Sequence, residues 1–236
     1  MQCVTTYNVV MGLKYRVNEE FFDRWNPVMA YVLGYWYADG SIYPSERGSY
    51  INVTSTDRST IYKIKKWLNS QHTVQKEKSS AQNGKVKFIL RIGNKKLYEA
   101  LTKLGIYPSK SLTIRLPHIA DGFFADFLRG YFDGDGCVYL YRTKGKTQRL
   151  ILRKLSVIFT SGSEGFLKDL LANLRRYLDL RQTKVYKGYN RAFQLRLATA
   201  DSIKVLNFMY NGTSKELLLK RKFIIFLKYL ALKKLV

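Results

Sequence analysis

Apolar residues recur along this chain in two successive sets of helical and alternating stretches. "VMAYVLGYWY" (28–37) is apolar almost throughout and follows Asn26 and Pro27, a preferred N-cap and a residue favoured at the first helical position, so a helix is predicted to run from there to Asp39-Gly40. In 85–92, Val86, Phe88, Leu90 and Ile92 alternate with Lys85, Lys87, Ile89 and Arg91, the period of a half-buried strand. Phe193, Leu195 and Leu197 alternate in the same way with Ala192, Gln194 and Arg196. "VTSTDRSTIYKIKKWL" (53–68) and "FTSGSEGFLKDLLANL" (159–174) each read as a strand end passing through a Ser, Thr or Asp cap into a helix. Helical patterns at 94–104 and 200–210 close the two sets, each with Gly at or just past its end.

Each set therefore reads helix, strand, strand, helix, strand, strand, helix, and the repeat is visible in the residues themselves. With Gly34 set over Gly130, "GYWYADGSIY" and "GYFDGDGCVY" are identical at five of ten positions, including Asp39/Asp135 and Gly40/Gly136. Asp39 to Ser55 is 16 residues and Asp135 to Ser161 is 26, so the second half carries ten more residues between its first two strands, around "YRTKGKTQR". Its first helix is expected to begin near Asp121. The stretch 105–121 has two prolines and no periodicity, which places a linker at 111–120 between subdomains 1–110 and 121–236. The fold class expected is α+β, two duplicated αββαββα units with antiparallel four-stranded sheets and a central pair of packed helices.

Charge narrows the function. Over 236 residues, 41 Lys plus Arg stand against 17 Asp plus Glu, a net +24 that attracts polyanions, nucleic acid before all others. A membrane surface is the competing partner, but the most apolar long run, 216–236, is broken by Lys or Arg every few residues and reads as an amphipathic helix. Two cysteines, Cys3 and Cys137, make no disulfide framework, and His72 and His118 make no ligand cluster. These features, with no basic stretch leading into an apolar run at the start, point to an intracellular, reducing location without a secretory signal.

Each sheet would turn one apolar face to its helices and one basic, aromatic face outward. The first outward face would carry Tyr50, Asn52, Thr54, Lys85, Lys87 and Arg91, and the second Lys154, Ser156, Lys184, Tyr186, Gln194 and Arg196. With Tyr43, Arg47, Tyr139, Tyr141 and Arg149 beside them, these faces are the candidate contacts for base edges and phosphates of double-stranded DNA.

The acids carry the chemistry. Gly34 and Ala38, and equally Gly130 and Gly134, are four apart, so small residues line one face of each repeated helix and let the two backbones approach closely. Asp39 and Asp135 would then lie side by side, and two carboxylates beside a polyanion call for a divalent cation. Hard oxygen ligands with open positions suit Mg²⁺, which can activate water for in-line attack on phosphorus and stabilise the leaving 3′ oxygen. Ca²⁺ or Mn²⁺ would substitute in binding. A calcium-loop reading of "DGDG" fails, because the twelfth position from Asp133 is Lys144 where a bidentate Glu is needed.

"VLGYWYADG" (32–40) and "LRGYFDGDG" (128–136) resemble the two signature segments of the LAGLIDADG homing endonucleases in their single-chain form, and "LGIYPSKS" (104–111) and "LLLKRKF" (217–223) resemble the segments after the third helix of each half. The resemblance implies pseudo-twofold symmetry, two saddle-shaped sheets astride a long DNA site, and Mg²⁺-dependent cleavage of both strands by a monomer. It implies metal binding by Asp39 and Asp135, with backbone carbonyls from Ala38 and Gly134. It also implies a place near the cleavage centre for Ser55, Ser161, Lys110 and either Lys220 or Lys222. The sixth motif position, often acidic in the family, is Tyr37 in the first half and Asp133 in the second; the resemblance gives it a packing or capping role. The unequal halves imply an asymmetric target. RNA-splicing maturases and non-cleaving regulators share the fold; loss of one or both acids would have favoured them, and both acids are present.

Overall fold

The computed structural model describes residues 15–78, 84–144 and 150–233, the side chains of 142–144 and 150–153 excepted. Helix α1 (Pro27–Asp39) starts as expected: the Asn26 side chain accepts from the Met29 N–H at 2.9 Å. Apolar on every side, it has no face for water and is buried from Met29 to Tyr37. It leads into strands β1 (Gly40–Ser45) and β2 (Gly48–Ser55), helix α2 (Arg58–Trp67), strands β3 (Val74–Lys78) and β4 (Val86–Gly93), and helix α3 (Lys95–Lys103). Asp57 and Asn94 cap α2 and α3 through their side chains. A short 3-10 helix (Lys110–Leu112) ends this half.

The same order returns as α4 (Phe124–Asp135), β5 (Gly136–Lys144), β6 (Leu150–Ser161), α5 (Glu164–Tyr177), β7 (Val185–Lys187), β8 (Phe193–Leu197) and α6 (Thr199–Tyr210). The amphipathic C-terminal run forms α7 (Lys220–Lys233). Helix α4 begins at Phe124 and not near Asp121. No side chain caps it; its first turn closes through the backbone, from the Phe127 N–H to the Phe123 carbonyl at 3.0 Å. The extra residues of the second half lengthen β5 and β6 to 9 and 12 residues, against 6 and 8 for β1 and β2. Arg149 lies outside the described residues.

Both sheets are antiparallel with the same strand order, β1-β2-β4-β3 and β5-β6-β8-β7. Their registers also correspond: Asn52 pairs Arg91 where Ile158 pairs Arg196, and Thr54 pairs Ile89 where Thr160 pairs Gln194. Alternation puts Ile51, Val53, Leu90 and Ile92 under the first sheet and Leu155, Val157, Phe159, Leu195 and Leu197 under the second, all in one continuous core with the helices.

The two halves are joined through α1 and α4, the most extensive contact between any two elements. A Cβ added at Gly34 would stand 2.0 Å from the Phe127 carbonyl oxygen, and one at Gly130 would stand 1.9 Å from that of Tyr31. Nothing larger than hydrogen fits there, so the backbones touch where the sequence places its small residues. Behind this seam the buried Arg129 donates to the carbonyls of Leu217 and Met209, to Thr213 Oγ1 and to Asp126, tying the α6–α7 connection to α4.

Gly34→Ala and Gly130→Ala should each destabilise the fold by about 3 kcal/mol or more, at or above the upper end of overpacking costs because the clash is with backbone. Urea unfolding checks this against the exposed Lys154→Ala, expected within about 0.5 kcal/mol of the parent.

Candidate active site

The seam between α1 and α4 ends at the two acids. A Cβ added at Gly134 would meet Ala38 Cβ at 2.4 Å and lie 3.3 Å from Asp39 Oδ2, so the absence of a side chain there leaves the Asp39 carboxylate open toward the second helix. A cleft of about 480 Å³ opens at this point, lined by Tyr35, Asp39, Ser55, Lys85, Lys87 and Arg221 among others. Asp135 is an exposed residue at the equivalent end of α4.

Two lysines hold the helix ends. The buried Lys110 donates from Nζ to the Tyr37 carbonyl at 2.8 Å. The buried Lys222 donates to the carbonyl of Asp133 at 3.0 Å, and to those of Phe132 and Gly136. Tyr37 and Asp133 are equivalent positions, so each lysine places a positive charge at the negative end of one motif helix. All three Lys222 N–H groups are committed, whereas among the described residues Lys110 uses only one, leaving two for water or ligand. Burial lowers the pKa of both ammoniums, that of Lys222 to about 8, with the nearby carboxylates opposing the shift.

The carboxylates shift the other way. Burial raises Asp39, opposed by the Tyr35 hydroxyl and the two lysines. The protein packed around Asp135 raises it to about 6, and repulsion from Asp39 adds to this, although its residue surface is still open to water. Burial thus outweighs the two nearby ammoniums at both acids.

Burial also raises Asp133, to about 6. Its Oδ2 accepts from the Tyr31 hydroxyl at 2.8 Å and from the Leu219 N–H at 2.7 Å, which ties both motif helices to the segment before α7. Tyr37 does the matching work in the first half, its hydroxyl donating to the Leu104 carbonyl at 2.7 Å. The sixth motif position therefore serves packing in both halves, by different chemistry.

The LAGLIDADG-like domain model matches residues 26–105 and 123–208. The chain belongs to this family. No curated protein matches the chain at a significant level. Among solved structures, the LAGLIDADG fold is shared with the homing endonuclease I-WcaI bound to its DNA recognition sequence, at TM-score 0.55 and 14% identity over 86% of this chain and 89% of that one. The meganuclease I-SmaMI bound to uncleaveable DNA aligns at TM-score 0.54 and 14% identity, over 82% and 87% of the two chains. I-AabMI bound to uncleaved DNA aligns at TM-score 0.52 and 15% identity, over 82% and 88%.

Of the residues the motif singles out, Asp39, Asp135, Ala38, Gly134, Lys110 and Lys222 come together at the helix ends. Lys220 does not: it is exposed at the start of α7, and Lys222 takes the inward position. Ser55 Oγ lies 2.9 Å from the Tyr35 hydroxyl and caps the Asp57 N–H, while the buried Ser161 accepts from the Ser163 N–H. On the first sheet Tyr43 and Tyr50 stack at 5.4 Å, Arg47 sits exposed in the hairpin turn, and Asn52 and Arg91 are register partners. Lys85 precedes β4 and, with Lys87, reaches the acid cleft. On the second sheet Tyr139 and Tyr141 are exposed neighbours, Lys154 lies 5.5 Å from the Tyr141 ring, Lys184, just before β7, lies 5.5 Å from the Tyr186 ring, and Gln194 contacts Arg196. Two departures stand out. Ile89 is buried on the outward face of the first sheet, and His72 lines a cavity of about 420 Å³ there with Tyr50 and Arg91.

Sequence reasoning missed Tyr35 and Arg221. The repeat did carry a signal for the former, since Tyr35 and Tyr131 are identical partners and each sits against a second-strand end, Tyr131 donating to the Thr160 carbonyl at 2.6 Å. Arg221 had no such signal, because it lines the cleft only through the entry angle of α7.

The raised acids set a pH dependence. A carboxylate raised above its ordinary value binds more protons in the folded chain than in the unfolded one between about pH 4 and pH 6, so its ionisation opposes folding as pH rises through that window. Without divalent ions, Asp135→Asn should melt above the parent at pH 7, and the gain should vanish as pH falls to about 4. Thermal unfolding followed by circular dichroism across pH reads this, and a parent more stable than the variant at pH 7 would contradict it.

Proposed function

We propose that the chain is a site-specific endonuclease that makes a double-strand break in a long, asymmetric double-stranded DNA target by Mg²⁺-dependent phosphodiester hydrolysis. It acts as a monomer of two subdomains, 1–110 and 121–236, joined at 111–120. One observation carries this reading: the two motif helices end together, presenting Asp39 and Asp135 between two sheets whose outward faces are basic and aromatic.

The donor chemistry fits a hard divalent ion. Among the described residues no group of three His, Cys, Asp or Glu converges, so two carboxylates and neighbouring carbonyls are what the protein offers, and water and phosphate oxygens must complete the shell. That is the coordination Mg²⁺ favours. The space kept open by Gly134 beside Asp39 Oδ2 leaves room for it. When bound, such an ion would relieve the repulsion between the acids and supply Lewis acidity at the scissile phosphate.

The chain's own residues do the rest. Asp39 and Asp135 would hold the ion, with the carbonyls of Ala38 and Gly134 beside them. The Tyr35 hydroxyl, itself 2.9 Å from Ser55 Oγ, acts on the Asp39 carboxylate from one side. Lys110 and Lys222 clamp the helix ends and offset the acids, and Lys110 has N–H groups left to orient a water or a phosphate oxygen. The lysines, arginines and tyrosines of the sheets would grip the duplex. The DNA-bound states of I-WcaI, I-SmaMI and I-AabMI support that use of the fold. A longer second hairpin supports unequal half-sites. No helix among the described residues is long and apolar enough to cross a membrane.

Incubation with DNA spanning the coding locus and its uninterrupted allele should give a double-strand break at one defined site with Mg²⁺ and none with EDTA. Asp39→Asn and Asp135→Asn should each abolish cleavage while retaining binding in a gel-shift assay. Normal cutting by either variant would remove the metal assignment, and the absence of any metal-dependent break would remove the nuclease.

A further inference from the structure

We infer that Arg91 and Arg196 are a matched pair of base readers, each presenting its guanidinium to the O6 and N7 acceptors of a guanine in the major groove, so that the target carries two G·C pairs at mirrored positions about its centre. This rests on the reading of the chain as a site-specific DNA-binding protein and goes beyond it by naming the bases.

The registers place the two arginines in equivalent spots. One row across the first sheet runs Ser41, Asn52, Arg91, and the matching row across the second runs Cys137, Ile158, Arg196. Both arginines are exposed, on the outward face, and on β4 and β8, which are inner strands of their sheets. Neither makes an ion pair among the described residues. An arginine with no acid partner keeps its donors for a ligand, and its planar fork matches the two acceptors on the guanine edge.

Phosphate is the rival ligand for any arginine, and the neighbours of Arg196 decide against it. Its row offers Ile158 and Cys137, which add no strong donor for a phosphate but suit contact with a base edge. The Arg196 side chain is also braced, because its Nε donates to Gln194 Oε1 at 3.0 Å. That bond uses the Nε–H and leaves the N–H groups of both terminal nitrogens for the two guanine acceptors. It fixes the side chain in advance, so less freedom is lost on binding.

The first half repeats the arginine without the brace. Ile89 stands where Gln194 stands in the second half, and it has no acceptor to offer. Asn52, with a buried Oδ1 that finds no donor among the described residues, is the cross-strand partner of Arg91 in place of Ile158. Arg91 is therefore the looser reader, and Arg196 the stricter one.

The test is selection of binding sites from a randomised duplex library by the parent chain, Arg91→Ala, Arg196→Ala and Gln194→Ala, in EDTA so that nothing is cut. The parent should enrich a sequence with two G·C pairs equidistant from its centre. Arg196→Ala should lose the preference at one of them and Arg91→Ala at the other, each cutting affinity for the parent's site by roughly 5- to 150-fold while leaving affinity for sites changed at that pair nearly untouched. Gln194→Ala should relax the same position as Arg196→Ala, less severely. Variants that weaken binding equally across all sequences would make the arginines phosphate contacts and overturn the inference, as would a parent consensus without mirrored G·C pairs. If the parent enriches no sequence at all, the proposed site-specific binding fails instead, and the two failures are distinct.

Discussion

The closeness of two helix backbones governs this molecule. Because Gly34 meets the Phe127 carbonyl and Gly130 meets that of Tyr31, α1 and α4 touch backbone to backbone at those two points. The distance between the two helix ends follows from that contact, and so does the meeting of Asp39 with Asp135. Each motif helix also leads without a loop into the first strand of its sheet, at Gly40 and Gly136. A change at the seam would move the acids and the two outward faces at once, which is why fold and site cannot be varied independently here.

The seam also concentrates charge that the protein alone does not balance. Helix C-termini carry negative potential, and two carboxylates are added at that place. Lys110 and Lys222 answer the helix ends directly, through the carbonyls of Tyr37 and Asp133. They do not offset the cost of burying the carboxylates, which raises both Asp39 and Asp135. Apolar burial elsewhere holds this arrangement in place, with Tyr37, Phe127 and Phe166 packed ring against ring across the seam.

The fold was legible where the sequence repeats itself or keeps a clean period. The αββαββα order, the caps at Asn26 and Asp57, and the outward alternation of β4 and β8 could all be read from residue type and spacing. The two acids were legible because they recur at matching places. The start of α4 was not, since its first turn closes through backbone with no capping side chain. Nor was the choice between Lys220 and Lys222, which depends on the angle at which α7 enters and on the carbonyls it finds there. Ile89 falls on the Lys85, Lys87 and Arg91 side of the alternation in sequence, and only the register shows that it stands where Gln194 stands in the other half.

That last exchange shows how duplication and asymmetry coexist in one chain. The seam must keep its symmetry, because each glycine is opposed by backbone from the other helix and neither can grow alone. The outward faces are under no such constraint, since a side chain there meets solvent or ligand and its replacement costs the core little. Differences have accordingly gathered where packing permits them: Asn52 against Ile158, Ile89 against Gln194, and a longer second hairpin. The sixth motif position shows the intermediate case. Tyr37 and Asp133 differ in charge and size, yet both hold the segment after the third helix, so the contact is kept while the chemistry changes. A pseudo-symmetric scaffold with free outer faces is what allows a single chain to carry two unequal surfaces while keeping its acids at a common point.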